Sequence, residues 1–227
     1  MQKLFSSLVL AALMSFTCTQ AHATIWFGFT SSDGTPVIAG LSSGPIALGP
    51  DDGHGFMGHM RLAKHFVGIG AFVMSQNEYE LAVKLESQSQ TSEEFLAKME
   101  SAFPERRFMI GSIVDGKVLS SQGTTGCNST NVYCGMDHVG TFIVNGGGLV
   151  DQNVLLNAKH VFEAESPRLS SHQLTCRILD SIATSGGEIK DFQYGVIWTS
   201  TNSGETLIKE QLKETELLSK LKAQFCP

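Results

Sequence analysis

The chain has 227 residues, with 16 Lys and Arg against 22 Asp and Glu, so its formal net charge is −6. This acidic balance argues against a nucleic-acid partner, because phosphates require clusters of basic side chains. The length beyond the first 23 residues suits one medium-sized domain with a single core.

The N-terminal segment has the pattern of an export signal. Lys3 is followed by an apolar run from Leu4 to Cys18 and then by Ala21-x-Ala23. The run is too short for the roughly 20 residues of a membrane span, and the small residues mark a cleavage site. We predict a signal peptide over residues 1–23, one mature domain over 24–227, a periplasmic or secreted product, and no membrane association after cleavage.

Cleavage after Ala23 would make Thr24 the first residue of the mature chain. The hydroxyl of such a threonine lies beside its own α-amine, whose pKa of about 7.7 to 8.0 suits it to accept the hydroxyl proton. Thr24 is therefore a candidate nucleophile that needs no histidine. The alternative is an ordinary strand residue after a signal cut, because threonine is common in strands.

The mature chain begins with predicted strands. Thr24 to Thr30 is rich in aromatic and β-branched residues, Ser31 to Gly34 supplies a tight turn, and Thr35 to Leu41 returns as a second strand. Residues 42–59 are rich in glycine and predict a loop. A nearly apolar strand is predicted over Phe66 to Ser75.

Two helices and a hairpin follow. One helix is predicted over Gln76 to Glu86, and the capping box Thr91-x-x-Glu94 opens a second that Pro104 ends. Asp115-Gly116 joins two strands within residues 107–122 by a turn that matches strand twist.

The last third of the chain alternates strands and helices. Strands are predicted over Val139 to Val144 and over Asp191 to Thr199, and helices over Val154 to Phe162, about Ser170 to Ala183, and residues 208–225. Paired strands with pairs of helices between them predict an α/β (α+β) fold, with two mainly antiparallel sheets face to face and helices outside.

Four cysteines remain after cleavage. An even number in an exported chain favours disulfides, and we predict the pairs Cys127–Cys134 and Cys176–Cys226. A zinc site would need closer Cys-x-x-Cys spacing or adjacent histidines, which the sequence lacks.

Residues 51–65 combine side-chain types that bind metals, and their methionines would suit copper. The members are Asp51, Asp52, His54, Met57, His59, Met60 and His65. Their spacing matches no closed site, and a solvated glycine-rich loop explains them. We predict no metal and no other cofactor.

Four segments of the sequence are similar to a known bacterial family. They are TIWFGFTSSDGTPVIAGLSSGPIALG from Thr24, RFMIGSIVDGKVLSSQG from Arg107, VNGGGLVDQNVL from Val144, and GGEIKDFQYGVIW from Gly186. In this order they resemble the uncharacterised family of domain of unknown function number 1028, which itself resembles the N-terminal-nucleophile (Ntn) hydrolases. The resemblance implies a four-layer α-β-β-α sandwich that presents the first residue at the mouth of the central sheets, to act on an amide bond.

The resemblance also implies the members of a catalytic site. Thr24 would be the nucleophile, while the Asn145 amide and the Gly146 and Gly147 backbone would stabilise an oxyanion. Alternatively, this glycine run is a strand-to-helix turn that requires positive φ. Ser43, Glu188 and Gln193 would orient the reacting groups, or would only satisfy backbone groups in loops and near helix ends.

The sequence departs from the family pattern at several of these positions. Ser43-Gly44 stands where the family has Ser-Arg, the asparagine before Gly146 is displaced, and Gln193-Tyr194 replaces Gln-Ser. The expected function is an exported amide-bond hydrolase acting on a small amide or peptide. Relatives with a peptidoglycan-binding extension imply cell-wall peptides as one class. These departures keep open a secreted or periplasmic binding protein that has lost catalysis. A third class is a secreted structural or partner-binding domain.

Overall fold

The structure is a computed structural model that describes residues 24–43, 56–61, 65–74, 76–104, 108–112, 118–120, 133–186, 192–201, 204–211 and 214–226. The predicted signal peptide, Cys127, Glu188 and residues 51–55 lie outside these residues.

A six-stranded antiparallel sheet contains the first and the last strand of the described residues. Its strands are β1 Thr24–Thr30, β2 Pro36–Ser42, β7 Tyr133–Val139, β8 Phe142–Leu149, β9 Tyr194–Thr201 and β10 Gly204–Gln211. Their order in the sheet is β10-β9-β2-β1-β8-β7, so β1 is an interior strand between β2 and β8.

A second antiparallel sheet has the order β3-β4-β5-β6. Its strands are β3 Phe56–Arg61, β4 His65–Met74, β5 Phe108–Ser112 and β6 Val118–Ser120. The five helices of the described residues are α1 Gln76–Ser87, α2 Ser92–Ala102, α3 Asn153–Glu165, α4 Ser171–Thr184 and α5 Glu214–Phe225. The predicted α+β class and antiparallel pairing are confirmed.

Local sequence signals explain where two helices begin. The Thr91 side chain accepts a hydrogen bond from the Glu94 backbone N–H at 3.1 Å, as the capping-box pattern predicts. At the start of α4, Ser170 and Gln173 form a complete reciprocal capping box. These bonds satisfy N–H groups that the first helical turn leaves unpaired.

Each face of the six-stranded sheet has its own hydrophobic cluster, because side chains alternate along a strand. Ile25, Phe27 and Phe29 of β1 lie in a cluster with buried residues of α3, α4 and α5. The opposite face carries a second buried cluster around Trp26 and Trp198. Fully burying each large side chain stabilises the fold by roughly 1.5–3 kcal/mol.

Several predicted boundaries are wrong. β2 begins one residue later than predicted, and the predicted strand over Val139 to Val144 spans the turn of the β7–β8 hairpin, where Gly140 has φ +55°. Residues 208–211 are strand rather than helix, because β10 pairs with β9 along its whole length. The predicted loop over residues 42–59 ends early, since Phe56 begins β3 and pairs with Met74.

The predicted disulfide between Cys176 and Cys226 is confirmed. It joins α4 to the residue after α5 across a Cα–Cα distance of 6.3 Å, within the usual range. Cys134 is also disulfide-bonded. Among the described residues, no helix has both the length and the apolar character to cross a bilayer.

Candidate active site

The β1–β2 turn sets which residues lie beside Thr24. Gly34 adopts φ +82°, and the Ser31 backbone N–H donates to the Thr35 carbonyl at 3.0 Å. The Ser31 hydroxyl and then the Thr35 backbone N–H donate to the Asp33 carboxylate and hold its pKa below the ordinary value of 3.8. Five residues therefore separate Thr30 from Pro36, and this register places Thr24 opposite Ser42.

The Thr24 side chain is buried and bonded to that of Ser42. Thr24 has 3% of its surface exposed, Ser42 has none, and the two hydroxyl oxygens are 3.0 Å apart. Either hydroxyl can donate this hydrogen bond. Thr24 is thus held at the first position of an interior strand, and in the full chain its nitrogen is in a peptide bond with Ala23.

The glycines of β8 allow this strand to pack closely against β1, on the side of β1 opposite to β2. Gly147 pairs with Thr24, and a Cβ at Gly146 would lie 3.1 Å from the Thr24 carbonyl oxygen and 2.9 Å from Leu149 Cδ1. A side chain at Gly146 would require the Leu149 side chain to move and the Thr24 carbonyl to give way by a few tenths of an ångström. Gly148, with φ +74°, has the positive-φ conformation that the turn interpretation requires, whereas Asn145 to Gly147 continue the strand.

Asn145 is fully buried, and neither its Nδ2 nor its Oδ1 has a hydrogen-bond partner among the residues that the structure describes. Asn145 lies in β8, opposite Trp26 of β1. Because side chains alternate along a strand, the Asn145 side chain projects from the same sheet face as Thr24, whose partner in β8 is Gly147. A buried polar group without a partner costs about 1–3 kcal/mol, and such groups are rare in native proteins. The Asn145 side chain is therefore a feature of this face that packing does not explain.

The predicted oxyanion donors differ in the direction they face. Gly146 and Gly147 belong to the ladder with β1, so their backbone N–H groups lie near the plane of the sheet. The Asn145 side chain projects from the sheet face on which Thr24 and Ser42 meet. Of the predicted donors, the Asn145 amide is therefore the one that projects from this face, where it is fully buried.

Of the other predicted site residues, two lie next to Ser42 and one lies outside the described residues. Ser43 is half-buried and follows Ser42. Gln193 is exposed, and its backbone N–H donates to the Ser42 carbonyl at 2.9 Å. Glu188 lies outside the described residues.

Ser42 is the residue that sequence reasoning missed. Ser43 was the predicted second hydroxyl, but the hydroxyl that contacts Thr24 belongs to Ser42. If the residues of β1 and β2 are paired outward from the turn, Ser42 comes to lie opposite Thr24 only when the turn contains the five residues Ser31 to Thr35.

A groove of about 530 Å³ lies away from Thr24, beside the Cys176–Cys226 disulfide. Its lining includes Leu169, the bidentate ion pair between Arg177 and Glu165, and the capping box of α4. Its main polar groups are thus engaged within the protein, and the groove contains none of the Thr24 cluster. No group of three potential metal-ligating His, Cys, Asp or Glu side chains occurs in the described parts of the chain.

Comparison with solved structures finds a similar fold. One such structure is the crystal structure of protein SPO2555 from Silicibacter pomeroyi, described as a DUF1028 protein. The TM-score is 0.65 at 13% sequence identity, and the match covers 89% of this chain and 88% of that chain. No protein-family model matches the sequence, and no curated protein matches it. At this identity, the likeness establishes a shared fold with a DUF1028 protein.

Proposed function

We propose that this chain is an exported amide-bond hydrolase of the DUF1028 family, with Thr24 as the nucleophile after cleavage of residues 1–23. The observation that carries the proposal is the pairing of two features on one sheet face. The buried Thr24 hydroxyl is hydrogen-bonded to Ser42, and the Asn145 amide, without a partner among the described residues, lies two residue pairs further along β1 and β8.

The proposed architecture is a four-layer α-β-β-α sandwich of the Ntn-hydrolase kind. Contacts between elements support it: β4 touches β1 and β8, so the two sheets meet. Helices α3 and α5 contact the six-stranded sheet, and helices α1 and α2 contact strands of the four-stranded sheet. In this arrangement the Thr24 face would lie between the sheets, at the end where β1 begins.

Catalysis begins with the free α-amine of Thr24. The amine takes the hydroxyl proton, directly or through one water, and Oγ1 forms a bond to the amide carbonyl carbon. The carbon–nitrogen bond then breaks, and the proton passes to the leaving amine. Water next attacks the Thr24 ester, releasing a carboxylic acid and restoring the hydroxyl.

Asn145 Nδ2 would stabilise the negative charge that develops on the carbonyl oxygen. Diagonal neighbours on paired strands lie about 7–8 Å apart, so the Asn145 amide would be within reach of a carbonyl group under attack by Thr24. Removing one donor of this kind typically lowers the rate by about 10²-fold or more. The energetic cost of leaving this amide unpartnered is then offset when substrate binds.

The substrate is proposed to be a small amide or a short peptide. Cell-wall peptides are the first class to test, since export would bring the protein to them. A binding protein that retains the same face without catalysis is the competing function. Both use Asn145, but only the hydrolase needs a free amine on Thr24.

The test uses protein whose first residue is verified as Thr24 by N-terminal sequencing. Wild type, Thr24→Ala and Thr24→Ser are incubated with a β-lactone, which acylates nucleophilic hydroxyls, and with a panel of amides and cell-wall peptides. Wild type should form the ester at Thr24 and hydrolyse an amide, Thr24→Ser should retain some reaction, and Thr24→Ala should do neither. Equal labelling of Thr24→Ala would locate the nucleophile elsewhere. Binding of a panel member without labelling or hydrolysis would favour the binding protein.

A further inference from the structure

We propose that Ser42 is the positioning residue for the nucleophile, holding the Thr24 hydroxyl in the rotamer from which it reacts. This inference rests on the proposed function and adds a residue to it. It comes from the 3.0 Å contact between the two hydroxyl oxygens in a water-excluded setting.

Ser42 is itself held rigidly. It lies in β2, which pairs with β1 on one side and with β9 on the other, and the Ser42 carbonyl accepts the Gln193 backbone N–H at 2.9 Å. The side chain of its neighbour Leu41 is buried on the opposite face of the sheet, in the hydrophobic cluster that includes residues of the helices. The Ser42 hydroxyl therefore occupies a fixed point beside Thr24.

The Thr24 side chain needs such a fixed point. Its β-branched carbon restricts χ1, yet threonine still has more than one accessible rotamer outside a helix. Only a rotamer with Oγ1 near the α-amine and facing the substrate can react. A residue at the end of a strand, freed from its preceding peptide by cleavage, would otherwise sample the other rotamers.

The direction of the hydrogen bond follows from the chemistry. After cleavage the α-amine becomes an acceptor for the Thr24 hydroxyl proton, so Ser42 donates to Oγ1 and leaves that proton free for the amine. As Oγ1 gains negative charge, the bond from Ser42 becomes charge-assisted and stronger. Ser42 thus acts on the rate of attack and makes no contact with the substrate.

The position of Ser42 predicts a specific kinetic signature. Losing a hydrogen bond of ordinary strength in the reactive state slows attack by about tenfold. Affinity for the electrophile should be unchanged. Ser42→Thr keeps a hydroxyl at the same carbon and suits a strand, so it should recover most of the rate.

A matched control lies at the other end of the same hairpin. Ser31 is also a buried serine, 6% exposed, and its hydroxyl donates to Asp33 and to the Thr35 carbonyl. Ser31→Ala removes hydrogen bonds of the hairpin far from Thr24. It should lower stability without changing the rate of labelling.

The experiment measures β-lactone labelling of mature protein beginning at Thr24, by intact mass and peptide mapping. Ser42→Ala should show kinact reduced by about tenfold with KI unchanged, Ser42→Thr should approach wild type, and Ser31→Ala should match wild type. Wild-type kinact in folded Ser42→Ala, or an equal loss in Ser31→Ala, would overturn the positioning role.

A second readout is independent of reactivity. Three-bond couplings of Thr24 measured by NMR should report one χ1 rotamer in wild type and averaging in Ser42→Ala. If wild type resists labelling while the couplings behave as expected, the proposed hydrolase fails and the positioning contact stands. Averaged couplings already present in wild type would refute the contact itself.

Discussion

Removing the Cys176–Cys226 disulfide should destabilise the protein strongly. The bond closes a loop with a sequence separation of 50, and the chain-entropy model gives about 4 kcal/mol for a loop of this length. The bond also joins α4 to the end of α5, whose Leu217, Leu221 and Phe225 belong to the main core. Freeing this end lets α5 separate from the sheet without unfolding α4.

The perturbation is the double substitution Cys176→Ala and Cys226→Ala, which leaves no unpaired thiol from this bridge. The predicted loss corresponds to a melting temperature lower by about 8–16 °C for a domain of this size. Urea unfolding can be followed by the fluorescence of Trp26 and Trp198, which are buried in the folded state. Thiol counting under denaturing, non-reducing conditions verifies that the wild type is oxidised.

The internal comparison is the shorter predicted loop between Cys127 and Cys134. A closed loop of about eight residues is expected to contribute about 2.5 kcal/mol in the same model. The Cys127→Ala and Cys134→Ala double variant should therefore lose less stability than the Cys176 and Cys226 variant. The reverse order, or a loss below about 1 kcal/mol for the long loop, would refute this reasoning.

Three further predictions concern single residues. Asn145→Leu removes an unpartnered buried amide, so unfolding measurements should show stability equal to or above wild type while hydrolysis falls by about 10²-fold; a loss of both would contradict a functional amide. Gly195→Ala should cost about 1–3 kcal/mol by denaturant titration, because its Cβ would lie 2.4 Å from buried Leu221 Cδ1, and a neutral result would mean the core there can adjust. Because the folded-state pKa of Asp33 is lowered, its stabilising contribution is present at neutral pH and is lost as pH falls below 3.8. The difference in unfolding free energy between wild type and Asp33→Asn should therefore shrink at low pH. A constant difference down to pH ~2 would exclude this linkage.

The sequence predicted elements better than it predicted pairing. Strand and helix types came from alternation and capping signals, which act over a few residues, and the Thr91 cap and the Cys176–Cys226 bond are confirmed. The β2 boundary was off by one residue, because Thr35 belongs to the turn through its bond with Ser31. In a sheet, a shift of one residue exchanges the two faces, and the observed register places Ser42 on the face of Thr24. Ser43 is predicted from its place in the family's Ser-Arg pattern, which carries no information on strand register.

Two other differences have the same physical origin. The glycines after Asn145 predict the end of a strand by their own preferences, yet pairing with β1 and β7 extends β8 to Leu149. Residues 208–211 fit a helical pattern, and their pairing with β9 makes them a strand. The lack of a hydrogen-bond partner for Asn145 among the described residues is likewise a property of the assembled sheets, so no local sequence pattern predicts it.

The most direct test of the central claim compares two forms that differ by one residue at the N-terminus. One form begins at Thr24, and the other retains Ala23, so that the Thr24 amine becomes an amide with no proton-accepting lone pair. If Thr24 is an N-terminal nucleophile, the first form should be labelled at Thr24 by the β-lactone, and the second should resist labelling while keeping the same melting temperature within a few degrees. Equal labelling of Thr24 in both forms would contradict the claim, because the free α-amine would then have no part in the reaction.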